Sequence, residues 1–190
     1  MQSSGKAIIF SAPSGAGKTS IIKPLMGYYH QLELSVSATC RQPRPGETDG
    51  VEYHFITLRE FNQRRERGDF IEWEEVFPGI QYGTLRQEVE RIWSKGRVAL
   101  FDIDVKGAMN LKRAFGGNAI TIFIEPPSID ALRQRLESRG TESLEVIAKR
   151  LARAESEMAY APRYDRRVVN DDLERAVQET VAIVGEFLGR

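Results

Sequence analysis

Residues 11–19 of the chain read Ser11-Ala12-Pro13-Ser14-Gly15-Ala16-Gly17-Lys18-Thr19. They follow an apolar run at 7–10 that is typical of a buried strand, and they precede a segment with an apolar helical face. A strand, a loop of small residues, Lys-Thr and a helix form the usual context of a phosphate-binding loop. Backbone N–H groups of such a loop and the helix N-terminus attract phosphate, so the pattern predicts a nucleotide site.

The end of this loop carries its chemistry. We expect Lys18 to reach the β- and γ-phosphates of a nucleotide and the Thr19 hydroxyl to ligate Mg²⁺. Ala12 stands where glycine is usual, and alanine fits there only if its φ is negative. A tight turn without a ligand is the alternative, but it leaves the Lys-Thr pair unexplained. The predicted ATP-binding loop consists of Ala12, Pro13, Ser14, Gly15, Ala16, Gly17, Lys18 and Thr19.

Length and composition limit the class of protein. The 190 residues are enough for a full hydrophobic core, and we expect one domain. Lys plus Arg and Asp plus Glu balance at 27 each, which argues against a general nucleic-acid or anionic-membrane binder. The single cysteine, Cys40, excludes an intramolecular disulfide and a cysteine-based zinc site. Without a signal-peptide pattern or a membrane-spanning run, we expect a cytoplasmic enzyme.

Strand-like and helical segments alternate along most of the chain. This alternation predicts an α/β fold with a mainly parallel sheet covered on both faces, whose ligands bind at the carboxyl ends of the strands. Residues 15–18 and 102–104 fall at such ends. We predict strands at 7–10, 98–103, 119–124 and 167–169, and helices at 19–29, 84–94, 129–139, 144–160 and 172–188.

Two segments interrupt the alternation. Residues 36–83 contain short strand-like pieces at 51–57 and 70–76, a helix at 58–67 and several turn signals, which predicts a β-rich insertion. A second insertion is wholly helical and carries many arginines, which suggests a lid. We therefore predict one domain over 1–190, with a core at about 1–35, 84–125 and 164–190, the β-rich insertion at about 36–83 and the lid at about 126–163.

Several side chains outside the loop are candidates for binding. Arg41 and Arg44 lie three apart in a Pro/Gly-rich loop and offer paired guanidinium groups to a phosphate, although a solvated basic loop remains equally open. The hydroxyls of Tyr53 and Tyr82 suit either phosphate binding or a satisfied place in the core. In a strand, Glu72 points away from the face that carries its apolar neighbours.

Two carboxylates follow the apolar run at 98–101. We expect Asp102 and Asp104 to project from the same face at the end of a buried strand. Asp102 resembles a Walker-B acid, which would hold the Mg²⁺ shell near Thr19. The alternative is that these acids cap the next helix.

The order and spacing of these motifs resemble the guanylate kinase family over essentially the whole chain. Only the phosphate loop is decisive by itself, but the set is specific. The motifs are SAPSGAGKT, SVSATCRQPRPGE with DGVEY at 49–53, FIEW, YGT, LFDIDVKG, PPS, RLESRG, the Lys149-Arg150 pair and VNDD. The resemblance implies a P-loop three-layer core, a GMP-binding insertion and a helical lid. It also implies transfer of phosphate from ATP to GMP with Mg²⁺.

The resemblance also implies roles for individual residues. It gives the catalytic roles to Lys18, Arg41, Arg135, Arg139 and Arg150, the last three from the lid. It places Asn170 near the adenine and Mg²⁺ at Thr19 and Asp102. It assigns GMP to Ser37, Arg41, Arg44, Glu47, Tyr53, Glu72, Tyr82, Thr84 and Asp104. The implied partners are ATP and GMP, with no nucleic acid or membrane, and the chain is expected to be a monomer or homodimer.

The chemistry of guanine agrees with these roles. Its N1–H and N2–H₂ donors suit the acceptor-only carboxylates of Glu72 and Asp104, whereas adenine presents an acceptor at N1. These acids therefore disfavour a kinase acting on AMP or UMP. A non-catalytic phosphopeptide-binding module is the other alternative, and the intact Gly17-Lys18-Thr19 argues against it. The chain departs from the usual family pattern at Gln81, at Lys106 and in the 78–81 approach to Tyr82.

Overall fold

A computed structural model describes residues 5–138 and 143–190 of the chain. It contains two sheets, with helices on both faces of the larger one. The elements, in chain order, are β1 (Ala7–Ser11), α1 (Lys18–Tyr28), β2 (Leu32–Leu34), β3 (Ala38–Thr39), β4 (His54–Phe55), α2 (Leu58–Glu66), β5 (Phe70–Phe77), β6 (Ile80–Leu85), α3 (Arg86–Ser94), β7 (Val98–Asp102), α4 (Val105–Phe115), β8 (Ala119–Glu125), α5 (Ile129–Ser138), α6 (Leu144–Met158), β9 (Arg166–Val169) and α7 (Leu173–Leu188).

The larger sheet has five strands in the order β2-β7-β1-β8-β9, and every pairing in it is parallel. The central strand β1 is buried along its whole length. Ile8 and Phe10 pack under α1 and α7, whereas Ala7 and Ile9 pack on the opposite face with α3 and α4. A strand covered on both faces has no need of alternating polarity, which explains its continuous apolar sequence. The predicted α/β class is confirmed.

Parallel pairing brings the carboxyl ends of β1 and β7 to one edge of the sheet. Phe10 pairs with Asp102, and the chain leaves β1 one residue later. The phosphate-loop sequence therefore begins beside Asp102, and α1 starts at Lys18. This is the edge at which ligands bind in sheets of this kind.

The insertion forms a second sheet of four strands in the order β4-β3-β6-β5. Strands β5 and β6 make a hairpin whose two-residue turn is Pro78-Gly79, with Gly79 at φ +75°. The 78–81 approach to Tyr82 therefore consists of this turn and the first two residues of β6, and the pairing with β5 is irregular between Glu75 and Phe77. The predicted helix at 84–94 begins two residues late, at Arg86, because Thr84 and Leu85 pair with β5.

Other boundaries also differ from the prediction. The strand predicted over 51–57 shrinks to β4, because a turn occupies the residues before it. Strands β2, β3 and β6 and helix α4 were not predicted. Helices α5 and α6 pack on each other through Leu132, Leu136, Ile147 and Leu151. Among the described residues, no helix is both long enough and apolar enough to cross a membrane.

Candidate active site

The loop between β1 and α1 has the backbone conformation that phosphate binding requires. Gly15 and Gly17 lie at φ +95° and +93°, where side chains are strained. A Cβ on Gly17 would lie 2.3 Å from the side-chain nitrogen of Asn170, so the position also lacks room. Within residues 5–138 and 143–190 only glycines have positive φ. The φ of Ala12 is therefore not positive, which is the condition under which alanine was expected to fit at this position.

Asn170 holds this loop from behind. Its side chain is 5% exposed and donates from Nδ2 to the carbonyl of Ala16 at 2.7 Å. Its backbone N–H donates to Glu125 at the end of β8 at 2.8 Å. The predicted place of Asn170 at the adenine is not tested by these contacts, but they add a structural bond to the phosphate loop.

Helices α5 and α6, from the segment predicted to be a lid, contact the same loop. Arg135 of α5 donates to the carbonyl of Asn170 at 2.7 Å and to that of Ala16 at 3.5 Å. Arg150 of α6 donates from Nη1 to Ser14 Oγ at 3.0 Å. Two of the three predicted lid arginines thus lie at the phosphate loop. Arg139 lies outside the described residues.

Lys18 and Asp102 form an ion pair at the edge of the large sheet. Thr19 is exposed next to Lys18, in the first turn of α1. The carboxylate at the end of β7 thus lies at the start of α1, as predicted from the sequence.

A second cluster lies in the insertion around Arg41. Its guanidinium donates to both carboxylate oxygens of Glu47, at 2.7 and 2.9 Å, and from Nε to the hydroxyl of Tyr82 at 3.2 Å. The Tyr53 ring lies 5.3 Å from the guanidinium carbon and 5.6 Å from the Tyr82 ring. The structure brings these predicted residues together. Arg41 has the fork that suits a phosphate, and Glu47 occupies it.

Glu47 also orders the backbone of its own loop. Its Oε2 accepts from the Arg44 N–H at 2.7 Å. Hydrogen bonds from Arg41 and from this N–H hold the pKa of Glu47 at about 2. Glu47 therefore stays ionised and keeps Arg41 and the Arg44 backbone in one loop conformation. The Arg44 side chain is exposed, and the Ser37 carbonyl accepts from the His54 N–H.

Three polar residues, Glu72, Thr84 and Asp104, lie where the small sheet approaches the start of α4. Glu72 is 6% exposed on β5 and accepts from Thr84 Oγ1 on β6 at 2.7 Å. Its other oxygen lies 3.0 Å from where a Cβ on Gly107 would be. Burial raises the pKa of Glu72 to about 7, against the Thr84 hydrogen bond and helped by the charge of Asp104. The predicted base-binding carboxylates therefore lie close enough to repel each other.

The expected position of Asp104 on a strand was wrong. Strand β7 ends at Asp102, and Asp104 caps α4 by accepting from the Lys106 and Gly107 N–H groups at 2.8 and 3.1 Å. Only one carboxylate oxygen makes both bonds. Asp104 therefore caps the next helix, which was the alternative considered from the sequence. Its charge still acts on Glu72. Its orientation comes from the helix and not from strand alternation.

Tyr53 links the Arg41 cluster electrostatically to the end of β7. Burial and the neighbouring Tyr82 raise the pKa of Tyr53, and the charge of Asp102 adds to this. Asp102 is the ion-pair partner of Lys18, so Tyr53 lies within electrostatic range of the carboxylate at the start of α1.

Three residues that shape the site were missed from the sequence. Gly107 leaves the space into which Glu72 extends, and Leu132 and Leu136 of the lid lie 3.1 and 3.0 Å from the place of a Cβ on Gly15. Gly107 belongs to the LFDIDVKG motif quoted above. A glycine in a helical stretch, however, does not indicate which side chain fills the space that it leaves.

Comparison with known proteins agrees with this geometry. The family model described as guanylate kinase matches residues 4–186. The guanylate kinase of Bacteroides thetaiotaomicron is 50% identical over 189 residues, covering 100% of this chain and 93% of its own. That of Salinibacter ruber is 51% identical over 181 residues, covering 95% and 96%. The crystal structure of guanylate kinase from Anaplasma phagocytophilum has 30% identity and a TM-score of 0.73, covering 95% of this chain and 84% of that one.

Proposed function

The chain belongs to the guanylate kinase family and transfers phosphate from ATP to GMP, and we propose that the phosphate loop and the Arg41 cluster described above bind the two substrates. Lys18 and the loop 12–17 bind the ATP phosphates, and the Arg41 cluster binds the phosphate of GMP. The observation that supports this arrangement most is the cluster of Arg41, Tyr53 and Tyr82, which offers a guanidinium and two hydroxyls apart from the ion pair of Lys18 and Asp102 at the phosphate loop.

The reaction needs alignment more than acid–base chemistry. The phosphate of GMP has a second pKa of about 6, so it is largely dianionic at neutral pH and attacks without a general base. Lys18, Arg41, Arg135, Arg139 and Arg150 then neutralise the charge that develops on the transferring group. Because the lid arginines Arg135 and Arg150 bond to the phosphate loop, we propose that they exchange these bonds for phosphate oxygens when ATP binds.

The base of GMP is recognised by acceptors. We propose that Glu72 and Asp104 accept from guanine N1–H and N2–H₂, with Ser37 and Thr84 as neighbouring polar contacts. Adenine offers an acceptor at N1, so it would leave a buried carboxylate facing a lone pair. A site built on polar pairing rejects such an analogue strongly because its buried groups are left unpaired.

The residues at the phosphate loop are suited to bind Mg²⁺. In residues 5–138 and 143–190, no group of three or more His, Cys, Asp or Glu side chains forms a metal site on its own. Mg²⁺ does not need one, since it is commonly held by one or two carboxylates, waters and substrate phosphates. Thr19 and Asp102 supply a hydroxyl and a carboxylate oxygen for this purpose. Bound with ATP, the ion would neutralise phosphate charge.

The remaining expectations stay proposals. We propose that residues 36–83 act as the GMP-binding insertion and residues 126–163 as the lid of one domain. We further propose that the protein acts in the cytoplasm, as a monomer or homodimer, without a nucleic-acid or membrane partner. The comparisons offer nothing that favours the phosphopeptide-binding alternative.

Acceptor choice tests the proposed site directly. With Mg·ATP fixed, we expect ADP production to depend on GMP, with kcat/KM for AMP or UMP lower by about 10³-fold or more. A coupled assay of ADP release with GMP, dGMP, AMP, UMP or no acceptor measures this. Comparable rates with AMP would contradict the roles of Glu72 and Asp104. Absence of turnover in folded protein would favour the binding module.

The pH dependence of GMP binding tests the role of Glu72 separately. Its raised pKa means that the carboxyl is protonated below about pH 7 and ionised above it. Guanine donors need the ionised form, so we expect the KM for GMP to rise by about tenfold from pH 8 to pH 6. Initial rates at saturating Mg·ATP give this profile.

The matched control is Glu72→Gln, which cannot titrate. It should have a raised KM for GMP at pH 8 and retain only the pH dependence that belongs to the GMP phosphate itself. The KM for ATP should stay unchanged in the variant. A wild-type profile in Glu72→Gln would assign the titration to another group.

A further inference from the structure

The chain passes from the large sheet to the small sheet at a single residue, Val36. The N–H of Ser35 still donates to Leu100 of β7 at 2.8 Å, and the carbonyl of Ser37 already accepts from His54 of β4 at 2.9 Å. The N–H of Val36 bonds to neither sheet. It donates to a side chain, Glu88 Oε1, at 3.2 Å. One carboxylate therefore fixes the point at which the insertion leaves the core.

Glu88 also lies where the insertion returns. Strand β6 ends at Leu85, and Glu88 is the third residue of α3, which starts immediately afterwards. A glutamate at this helix position commonly accepts from its own N-cap N–H. Here the carboxylate extends across to Val36 and is 6% exposed. Both connections between core and insertion thus meet at one buried side chain.

The carboxylate of Glu88 is itself held from the core side. Arg91 donates to both of its oxygens, at 2.9 and 2.8 Å, and also bonds to Glu33 on β2. Lys95 and Arg97 donate to Glu33 at 3.1 and 2.9 Å. Burial opposes the ionised form of Glu88, but the bonds from Arg91 and Val36 outweigh it and keep its pKa below the ordinary value. The carboxylate is therefore charged and oriented at neutral pH.

We propose that Glu88 is a positioning residue that sets the placement of the small sheet against the phosphate loop. This inference rests on the proposed binding of GMP by the insertion. Ser37 follows Val36 directly, and Glu72 and Thr84 lie on strands of the same small sheet. A shift at Val36 would therefore move the base site relative to Lys18. Arg91, the ion-pair partner of Glu88, is 41% exposed, so the pair contributes little net stability and the conformation that it specifies is the better account of it.

The test is a split between the two Michaelis constants. In Glu88→Ala we expect the KM for GMP to rise about tenfold, because a charge-assisted bond that orients the GMP site is lost, while the KM for ATP stays within about twofold. Glu90→Ala, at an exposed position of the same helix, is the matched control and should leave both constants unchanged. Thermal unfolding midpoints are measured in parallel.

Glu88→Gln is the second variant and carries the test if Glu88→Ala does not fold. It keeps an acceptor for the Val36 N–H but weakens the bonds from Arg91, so we expect a rise of only about threefold in the KM for GMP. This partial rescue supports a positioning role. A loss of stability with both Michaelis constants unchanged, or an equal rise in both, overturns it.

Glu72→Gln in the same assay separates this inference from the proposed site. If Glu72→Gln raises the KM for GMP and the Glu88 variants do not, the positioning role is wrong and the GMP site stands. If none of these variants changes the KM for GMP, the proposed GMP site is wrong, and the role of Glu88 falls with it.

Discussion

We expect that replacing Lys18 with alanine lowers kcat, at saturating ATP and GMP, by about 10³-fold. Lys18 starts α1 directly after the loop whose glycines allow the backbone to turn around a phosphate. Its charge is placed in advance and needs no reorganisation as negative charge shifts between the two nucleotides. Loss of one such preorganised donor affects the transition state more than the ground state, so the fall is in kcat more than in KM.

The control for this variant is Lys23→Ala. Lys23 is exposed on the same helix, and its replacement should leave kcat unchanged. The pair between Lys18 and Asp102 is partly open to solvent, so we expect the free energy of unfolding of Lys18→Ala to change by less than about 1 kcal/mol. Thermal unfolding of both variants checks this. Near wild-type turnover in folded Lys18→Ala would contradict the proposed role.

The sequence predicted the core better than the insertion. The predictions of strand β1 and of the phosphate loop were correct, because the apolar run, the glycines and the Lys-Thr pair lie next to one another in the chain. Strand β2 and helix α4 were missed, since three residues of strand and a helix containing Gly107 give weak local signals. The start of α3 was misplaced because pairing of β6 with β5, a tertiary contact, overrides helical preference at residues 84 and 85.

The site shows the same limit. Its residue types could be predicted from the sequence, because the chemistry of phosphate and guanine restricts them. Their partners could not, because each lies on another part of the chain. The bond from Asn170 to Ala16 and that from Val36 to Glu88 join residues 154 and 52 positions apart. Asp104 was expected to be oriented by a strand, and the helix it caps orients it instead.

Arg41→Ala should have the second large effect, lowering kcat/KM for GMP by about 10³-fold. The variant loses the guanidinium fork that faces the phosphate. It also leaves the carboxylate of Glu47 without its main partner, and because a glutamate is ionised at neutral pH, this carboxylate repels the GMP dianion. Initial rates over GMP concentration at saturating Mg·ATP measure the loss. Arg59→Ala, at an exposed position of α2, is the control and should behave as wild type.

A double-mutant cycle separates the two causes. Glu47→Gln alone frees Arg41 from its partner, so we expect a weaker binding of GMP from a less ordered loop. In Arg41→Ala/Glu47→Gln the repelling charge is gone, and we expect about tenfold of the lost kcat/KM to return. Simple additivity of the two losses would mean that Glu47 does not act through Arg41. A positive coupling would mean that Glu47 holds the fork ready until the phosphate of GMP takes its place.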